Sequence, residues 1–200
     1  MQHAILEARE QRWQMKQELA RRFGACVCSL CLNIPGPDKN PPGAEQACAL
    51  LHAALRRAYA LEVRRWLAVR TRVGRGKAQL APIPRAVRGP GTAIAYATGG
   101  KSADGPYRLM ISPLPARTLK RMAVRLENTH PLGRLADIDI LAATGTPVLR
   151  ADLGLPPRVC FLCGEPAALC RRKQHHPQET LMAFVGAMLQ SVPPQWGTDA

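Results

Sequence analysis

The spacing of apolar residues predicts four helices along the chain. Leu6, Trp13 and Ala20 recur every seven residues and lie on one face of a first helix over residues 1–23. Apolar faces with helical spacing predict three more helices, over residues 47–58, 115–128 and 179–192. The segment 179–192 is apolar almost throughout, and the other helices are expected to pack their apolar faces against a core.

Apolar runs of a different kind predict the strands. Ala25 to Ile34 is almost entirely apolar, which is typical of an interior strand covered on both faces. Asp137 to Leu141 alternates polar and apolar residues, as a half-buried strand does. Further strands are predicted at 92–98, 107–112 and 148–149, with a turn over 99–106. Helices and strands interleave without a regular β-α-β-α order, so we expect an α+β fold with a mixed β-sheet flanked by helices.

Length and composition indicate one domain. The 200 residues are 46% hydrophobic and 21% charged, which is enough to form a sizeable core. We predict a single domain over residues 1–192, followed by a flexible tail over 193–200. No apolar run has the length of a membrane span or of a signal-peptide core, and we therefore expect a soluble cytoplasmic protein.

The charge of the chain is strongly biased. Lys and Arg number 28 against 14 Asp and Glu, which gives a net charge of +14. An anionic partner is expected: a nucleic acid, a phosphate-rich small molecule, an acidic protein or a membrane surface. Aromatic residues are only 4% of the chain, which argues against base stacking on a single strand. Residues 64–91 are predicted to form a basic insertion, either a solvated loop or a phosphate-binding segment.

Asp137 and Asp139 are the strongest candidates for chemistry. Residues i and i+2 of a strand share a face, so the two carboxylates would repel each other unless a cation lies between them. Mg²⁺ is the expected cation because it prefers oxygen ligands and binds substrate phosphates. The alternative is a pair of solvated aspartates. Three neighbours favour the metal site: Gly133 allows close backbone approach, Arg134 suits phosphate, and His130 adds an imidazole.

A second cluster combines three cysteines with a histidine. Cys160 and Cys163 form a C-x-x-C pair, followed by Cys170 and by two adjacent histidines, His175 and His176. Three thiolates and an imidazole can make a tetrahedral structural zinc site. The alternative is a set of reduced cysteines packed in a Cys/His-rich loop over 158–176. The odd total of seven cysteines and the expected cytoplasmic location argue against a disulfide framework.

Three further cations lie where they could contact phosphate. Lys39 follows a Pro-Gly-Pro-Asp turn after the predicted interior strand, where strand ends present side chains to ligands. Arg9 and Arg12 are three residues apart on the first helix and share a face. For all three residues, a solvated surface position is the alternative interpretation.

These motifs occur together in one known family. The segment from Glu127 to Leu141, ENTHPLGRLADIDIL, resembles the signature of the CitX family. Its members are holo-citrate lyase synthases, also called apo-citrate lyase phosphoribosyl-dephospho-CoA transferases. The resemblance extends in order along most of the chain, through residues 9–12, 35–39, Arg150, 155–163, Cys170 and His176. Residues 64–91 are longer and more basic than the family pattern.

The resemblance implies a reaction. Such proteins transfer a phosphoribosyl-dephospho-CoA group from triphosphoribosyl-dephospho-CoA to a serine of the acyl carrier subunit of citrate lyase, and pyrophosphate leaves. Asp137 and Asp139 would hold Mg²⁺, and His130 would orient a carboxylate or act on the serine proton. Arg134 completes the implied catalytic set. The implied substrate contacts are Gly133, Lys39, Arg158, Arg9 and Arg12.

The resemblance leaves the fold superfamily and two other functions open. Polymerase-β-like nucleotidyltransferases also use a D-h-D strand, but their glycine motif lies further before the first aspartate than Gly133 does. A basic nucleic-acid-binding protein with a small zinc module would fit the charge and the cysteines, but a recognition helix is missing. A scaffold subunit of the lyase complex is the third candidate. The transferase is favoured because its motif is long and specific.

Overall fold

The computed structural model describes residues 2–72 and 96–192 of the chain. The predicted tail over 193–200 and residues 73–91 of the predicted basic insertion lie outside the described residues. The helices and strands, in chain order, are α1 (Gln2–Phe23), β1 (Cys26–Leu32), α2 (Ala44–Arg72), β2 (Tyr96–Ser102), β3 (Gly105–Ser112), α3 (Ala116–Thr129), β4 (Ala136–Leu141), β5 (Pro147–Val148), α4 (Ala167–Lys173) and α5 (Gln178–Gln190). A short 3-10 helix, Ala151–Leu153, follows β5.

The five described strands form one sheet in the order β2-β3-β1-β4-β5. The α+β class with flanking helices is confirmed, but one detail differs from the expectation: every pair in this sheet is antiparallel rather than mixed. The strands β1 and β2 run in the same direction, as do β3 and β4. They are not neighbours, because β3 separates the first pair and β1 the second. The intervening strand of opposite direction makes each contact antiparallel.

The sheet separates two apolar clusters of unequal size. On one face, Leu30 of β1 and Ile138 of β4 join the larger cluster with α2, α3 and α5. On the other face, Val27 and Leu109 pack against Leu19 of α1. The central strand β1 is buried along its whole length, as its apolar run predicts. The smaller cluster fills only part of the space between α1 and the sheet, which leaves room for a cleft.

Two predicted boundaries are wrong. Residues 64–72 of the predicted insertion continue α2 as a helix. The predicted turn over 99–106 is mostly strand, because β2 runs to Ser102 and Gly99 pairs with Arg108 of β3. The chain reverses at Ala103 and Asp104 only, and the following Gly105 has φ +96, a conformation that favours glycine. In the part of the chain that the structure describes, no helix has the length and apolar character needed to cross a membrane.

Candidate active site

A cleft of about 1800 Å³ opens beside α1 on the face of the sheet with the smaller apolar cluster. Its walls come from α1, the end of β1 with the loop that follows it, β4, and the Cys/His segment before α5. The predicted residues that line it are Asp137, Asp139, Arg9, Arg12, Lys39, Arg158, Cys160, Cys170 and His176. Residues separated widely along the chain therefore meet in one place.

Asp137 and Asp139 share the cleft face of β4. Their side chains are 53% and 62% exposed, whereas Ile138 between them is buried in the larger cluster. Arg158 Nη1 lies 3.3 Å from Asp137 Oδ1, and Lys16 Nζ lies 3.2 Å from Asp139 Oδ2. Partial desolvation by the cleft walls and the neighbouring Asp139 carboxylate raise the pKa of Asp137, although Arg158 opposes the shift. Two accessible carboxylates of like charge are a donor set that fits a divalent cation.

Two side chains of α3 hold the backbone of β4 at the aspartate pair. The short strand β5 pairs only with Ile140 and Leu141. Beyond it, the backbone amide of Ile138 donates to Glu127 Oε1 at 3.1 Å, and Lys120 Nζ donates to the carbonyl of Ile138 at 3.0 Å. Glu127 and Lys120 thus take the place of a neighbouring strand and fix the position of the residue between the two aspartates.

Arg158 connects this backbone clamp to the cleft. Its guanidinium donates to the carbonyl of Ala136 and to Asp137, and it lies 3.6 Å from Glu127 Oε1. Arg150 donates to the other oxygen of Glu127. The Glu127 side chain is only 4% exposed, so this buried carboxylate is balanced by two cations. Removal of Glu127 would leave Arg150 without a carboxylate partner among the described residues and would take from Arg158 one of its two carboxylate contacts.

Cations on the wall formed by α1 face the aspartate pair. Asp104, in the β2–β3 turn, accepts from Arg9 Nε at 2.9 Å and from Arg12 Nη2 at 2.5 Å. Nη1 of Arg12 is buried and has no hydrogen-bond partner among the described residues. Lys39 donates to the carbonyl of Ile34, and burial together with nearby Arg9 lowers the pKa of Lys39. This wall presents positive charge to the cleft.

Two of the predicted catalytic residues have contacts outside the cleft. His130 Nδ1 accepts from the backbone amide of Leu132 at 3.1 Å and so stabilises the turn after α3. Burial and Arg57 lower the pKa of His130. Arg134 donates to the carbonyl of Cys160, and its guanidinium lies 5.6 Å from the centre of the Phe161 ring. The structure therefore gives His130 a turn contact and gives Arg134 a contact that holds the Cys/His segment.

Gly133 also lies away from the cleft. A Cβ atom at this position would lie 2.5 Å from the carbonyl oxygens of Leu126 and Glu127. The close approach that glycine allows here is to the end of α3. This contact with the end of α3 positions the segment that leads into β4.

The cysteine and histidine cluster is assembled by a loop and the short helix α4, not by a loop alone. The ligand atoms of Cys160, Cys163, Cys170 and His176 all lie within 4.8 Å of one another. Cys163 Sγ is 3.5 Å from Cys170 Sγ and 3.3 Å from His176 Nε2. A tetrahedral site with Zn–S bonds of about 2.3 Å has ligands roughly 3.8 Å apart, which these distances approach. The four residues could hold a metal ion.

Sequence reasoning missed four residues that shape this site: Lys16, Asp104, Lys120 and Glu127. Lys16 had a usable signal, because it continues the helical spacing of Arg9 and Arg12 along one face of α1. Glu127 also had a signal, because it lies four residues after Ala123 and eight after Leu119, on the apolar face of the predicted helix. Asp104 lies in a turn, where aspartate is common for local reasons, so its partners on α1 had no local signal.

Accessible strand carboxylates opposite arginines and lysines are the arrangement by which enzymes hold a divalent cation against phosphate groups, so fold and site define a candidate phosphoryl-transfer protein of α+β class. A comparison with known families makes this specific. The model of the family described as "CitX: Apo-citrate lyase phosphoribosyl-dephospho-CoA transferase" matches residues 2–76 and 80–192. The chain belongs to this family.

Curated relatives match a shorter segment. Proteins named apo-citrate lyase phosphoribosyl-dephospho-CoA transferase from Escherichia coli O139:H28, Escherichia coli O8 and Shigella boydii serotype 18 are each 44% identical to this chain over 91 residues. That segment is 46% of this chain and 50% of each relative. The chain thus spans about half the length of the curated relatives it matches.

Proposed function

We propose that this protein transfers a phosphoribosyl-dephospho-CoA group from its triphosphate precursor to a serine of the citrate lyase acyl carrier subunit. In this reaction the serine Oγ forms a bond to phosphorus, the bond to the pyrophosphate oxygen breaks, and the serine proton leaves to a base. The observation that carries the proposal is the pair Asp137 and Asp139, exposed in a cleft beside arginines and lysines. Cytoplasmic reaction partners are expected.

The carboxylates of Asp137 and Asp139 would hold Mg²⁺. When bound, the ion supplies neutralisation of charge on the phosphates and on the leaving pyrophosphate. The protein's own part is to keep the two carboxylates in place. Lys16 orients Asp139 through its 3.2 Å contact, and Arg158 orients Asp137 while it remains within reach of a substrate phosphate.

The wall formed by α1 would bind the rest of the polyphosphate. Asp104 holds Arg9 and Arg12 side by side, so their guanidinium groups are oriented before substrate arrives. Arg12 lines the cleft and its buried Nη1 has no partner among the described residues, so a phosphate oxygen that reached this atom would satisfy the donor. Lys39 adds a cation from the loop that follows β1. In this proposal His130, Gly133 and Arg134 support the site through turn, helix and loop contacts.

The intact mass of a purified apo carrier subunit tests the transfer. The carrier is incubated with this protein, Mg²⁺ and triphosphoribosyl-dephospho-CoA, beside Asp137→Asn and Asp139→Asn variants. We expect a mass gain equal to the phosphoribosyl-dephospho-CoA unit, and at least a 100-fold lower rate in either variant, because a metal site contributes several kcal/mol. Glu18→Gln is the matched control, since Glu18 pairs with Arg21 and does not line the cleft.

Each result of this experiment has a definite meaning. A mass gain that persists at full rate in both aspartate variants would keep the transfer and reject the proposed metal pair. No gain with the wild-type protein, given a carrier that a known transferase modifies, would reject the transfer. A wild-type protein that binds the carrier without modifying it would instead support the scaffold alternative.

For the cysteine cluster we infer a structural zinc ion bound by Cys160, Cys163, Cys170 and His176. Four protein ligands leave no open coordination position, which favours a structural over a catalytic role. Elemental analysis of the purified protein should give about one zinc per chain. His176→Ala should lower this content. His175→Ala is the control: His175 stacks on His176 but is not one of the four ligands, so its removal should leave the zinc content unchanged. Zinc-free protein that melts like the wild type would indicate reduced, packed cysteines.

A further inference from the structure

We propose that the exposed basic residues Arg171, Arg172 and Lys173, here called the α4 basic patch, form the docking surface for an acidic carrier protein. This inference rests on the proposed function and adds the place where the macromolecular substrate binds. The three residues form the last turn of α4 and all are exposed. Such a concentration of charge at the mouth of a reaction cleft suits a partner with negative surface potential.

The cysteine and histidine cluster determines where the patch lies. Cys170 precedes it and His176 follows closely, so the patch is held at both ends by residues of the cluster. Between them, Gln174 ends α4 in a left-handed conformation with φ +47, and its amide donates to the carbonyl of Arg171. A short segment fixed in this way keeps its charges at one position on the rim. Arg171 itself lines the cleft that contains Asp137.

The charges of the patch are not used within the described protein. None of the three residues forms an ion pair with a carboxylate among the described residues, whereas Arg9, Arg12, Lys16 and Arg158 all do. The carbonyl groups at the C-terminal end of α4 favour nearby positive charge. This explains why three basic residues are tolerated side by side there. Their side chains remain available for carboxylates of a partner.

A second basic surface provides a comparison and shows why position matters. Arg117, Arg121 and Arg125 are exposed on α3 and spaced four residues apart, so they form a stripe of the same charge. The helix α3 packs with the larger apolar cluster, on the opposite face of the sheet from the aspartate pair. A carrier bound to α3 could not present its serine to Asp137. A carrier bound at the α4 patch lies at the cleft.

The test uses the full chain and purified apo carrier subunit. The variant Arg172→Ala with Lys173→Ala leaves Arg171 of the cleft untouched, and Arg121→Ala with Arg125→Ala is the matched control of equal charge change. We expect the KM for the carrier to rise about five- to tenfold in the α4 variant and less than about twofold in the control. The KM for the triphosphate donor should stay the same in both. Added salt should raise the wild-type KM more steeply than that of the α4 variant.

Direct binding separates failure of this inference from failure of the proposed function. Fluorescence anisotropy of labelled apo carrier is measured without donor, so it does not require transfer. Binding that is weakened by the α4 variant alone supports the docking surface even if no mass gain is seen. Equal weakening in both variants, or in neither, would overturn it. Tighter binding of a DNA duplex than of the carrier, lost in the α4 variant, would assign the patch to nucleic acid and also overturn it. Unchanged zinc content and melting temperature verify the fold of each variant.

Discussion

The two faces of the sheet are built for different purposes although they share the same strands. One face is apolar and covered by α2, α3 and α5, and the other is partly covered by α1 and opens into a charged cleft. Strand β4 shows the contrast within three residues: Asp137 and Asp139 enter the cleft, and Ile138 is 1% exposed in the core. The covered face supplies the stability that keeps two like charges next to each other on the open face.

The polar residues of the covered face explain how this support is transmitted. Lys120 and Glu127 are buried on α3 and hold both backbone groups of Ile138. On the open face, Lys16 and Arg158 contact the carboxylates themselves. Changes on the covered face should therefore affect folding first, and changes on the open face should affect catalysis first.

The largest loss of stability is expected from Glu127→Leu. The substitution leaves Arg150 and Arg158 without their buried carboxylate and removes the acceptor of the Ile138 amide. Removal of one partner from a buried ion pair costs about 3–5 kcal/mol in the free energy of unfolding. Urea denaturation measures this, with Glu18→Leu as an exposed control expected within about 0.5 kcal/mol of wild type. Equal stability of the two variants would contradict the proposed clamp.

The next largest difference is expected between neighbours on β4. Ile138→Ala should lower the free energy of unfolding by about 2–5 kcal/mol because it creates a cavity in the larger cluster. Asp139→Asn should lower it by no more than about 1 kcal/mol, because it removes only a partly exposed ion pair to Lys16, while the transfer rate falls. Parallel urea titrations and transfer assays measure both quantities. A loss of stability in Asp139→Asn as large as in Ile138→Ala would mean that the faces are not separate in function.

A smaller effect is expected at Lys16. Lys16→Met keeps the buried aliphatic stem but removes the ion pair to Asp139, which is largely exposed, so the interaction is worth about 1 kcal/mol. The transfer rate should fall about fivefold, the equivalent of that energy. Lys16→Arg should restore much of the rate. If Lys16→Met and Lys16→Arg were equally slow, packing of the stem and not the charge would be the important property.

The smallest effect is a pH dependence that reports on Asp137. Its pKa is raised above the ordinary value of 3.8, so between these two pKa values the folded chain binds more protons than the unfolded chain. The free energy of unfolding therefore falls as pH rises through this window and levels off above the pKa of the folded state. Asp137→Asn removes this dependence, so the variant should gain stability relative to wild type as pH rises from 3.8. Urea titrations across this range measure the difference, and the opposite sign would contradict the raised pKa.

Local patterns predicted much of the fold and part of the site. The apolar run of β1, the alternation around Asp137 and the cysteine spacing around Cys160 depend on neighbours close in sequence, and the structure has each of these features. The prediction of a turn over 99–106 was wrong, because glycine is typical of turns and the sequence does not show which strand these residues pair with. Only pairing with β3 makes Gly99 part of a strand.

What the sequence determined by itself was therefore the set of elements and the residue types with chemical potential, because hydrophobic periodicity and ligand spacing act over a few residues. The tertiary structure decided which of them meet. Lys16 and Asp139 are 123 residues apart and Arg12 and Asp104 are 92 apart, so no local pattern relates them. Packing of α1 on the sheet brought these pairs into the cleft, and packing of α3 directed His130 elsewhere, because burial of apolar faces sets the distances between elements.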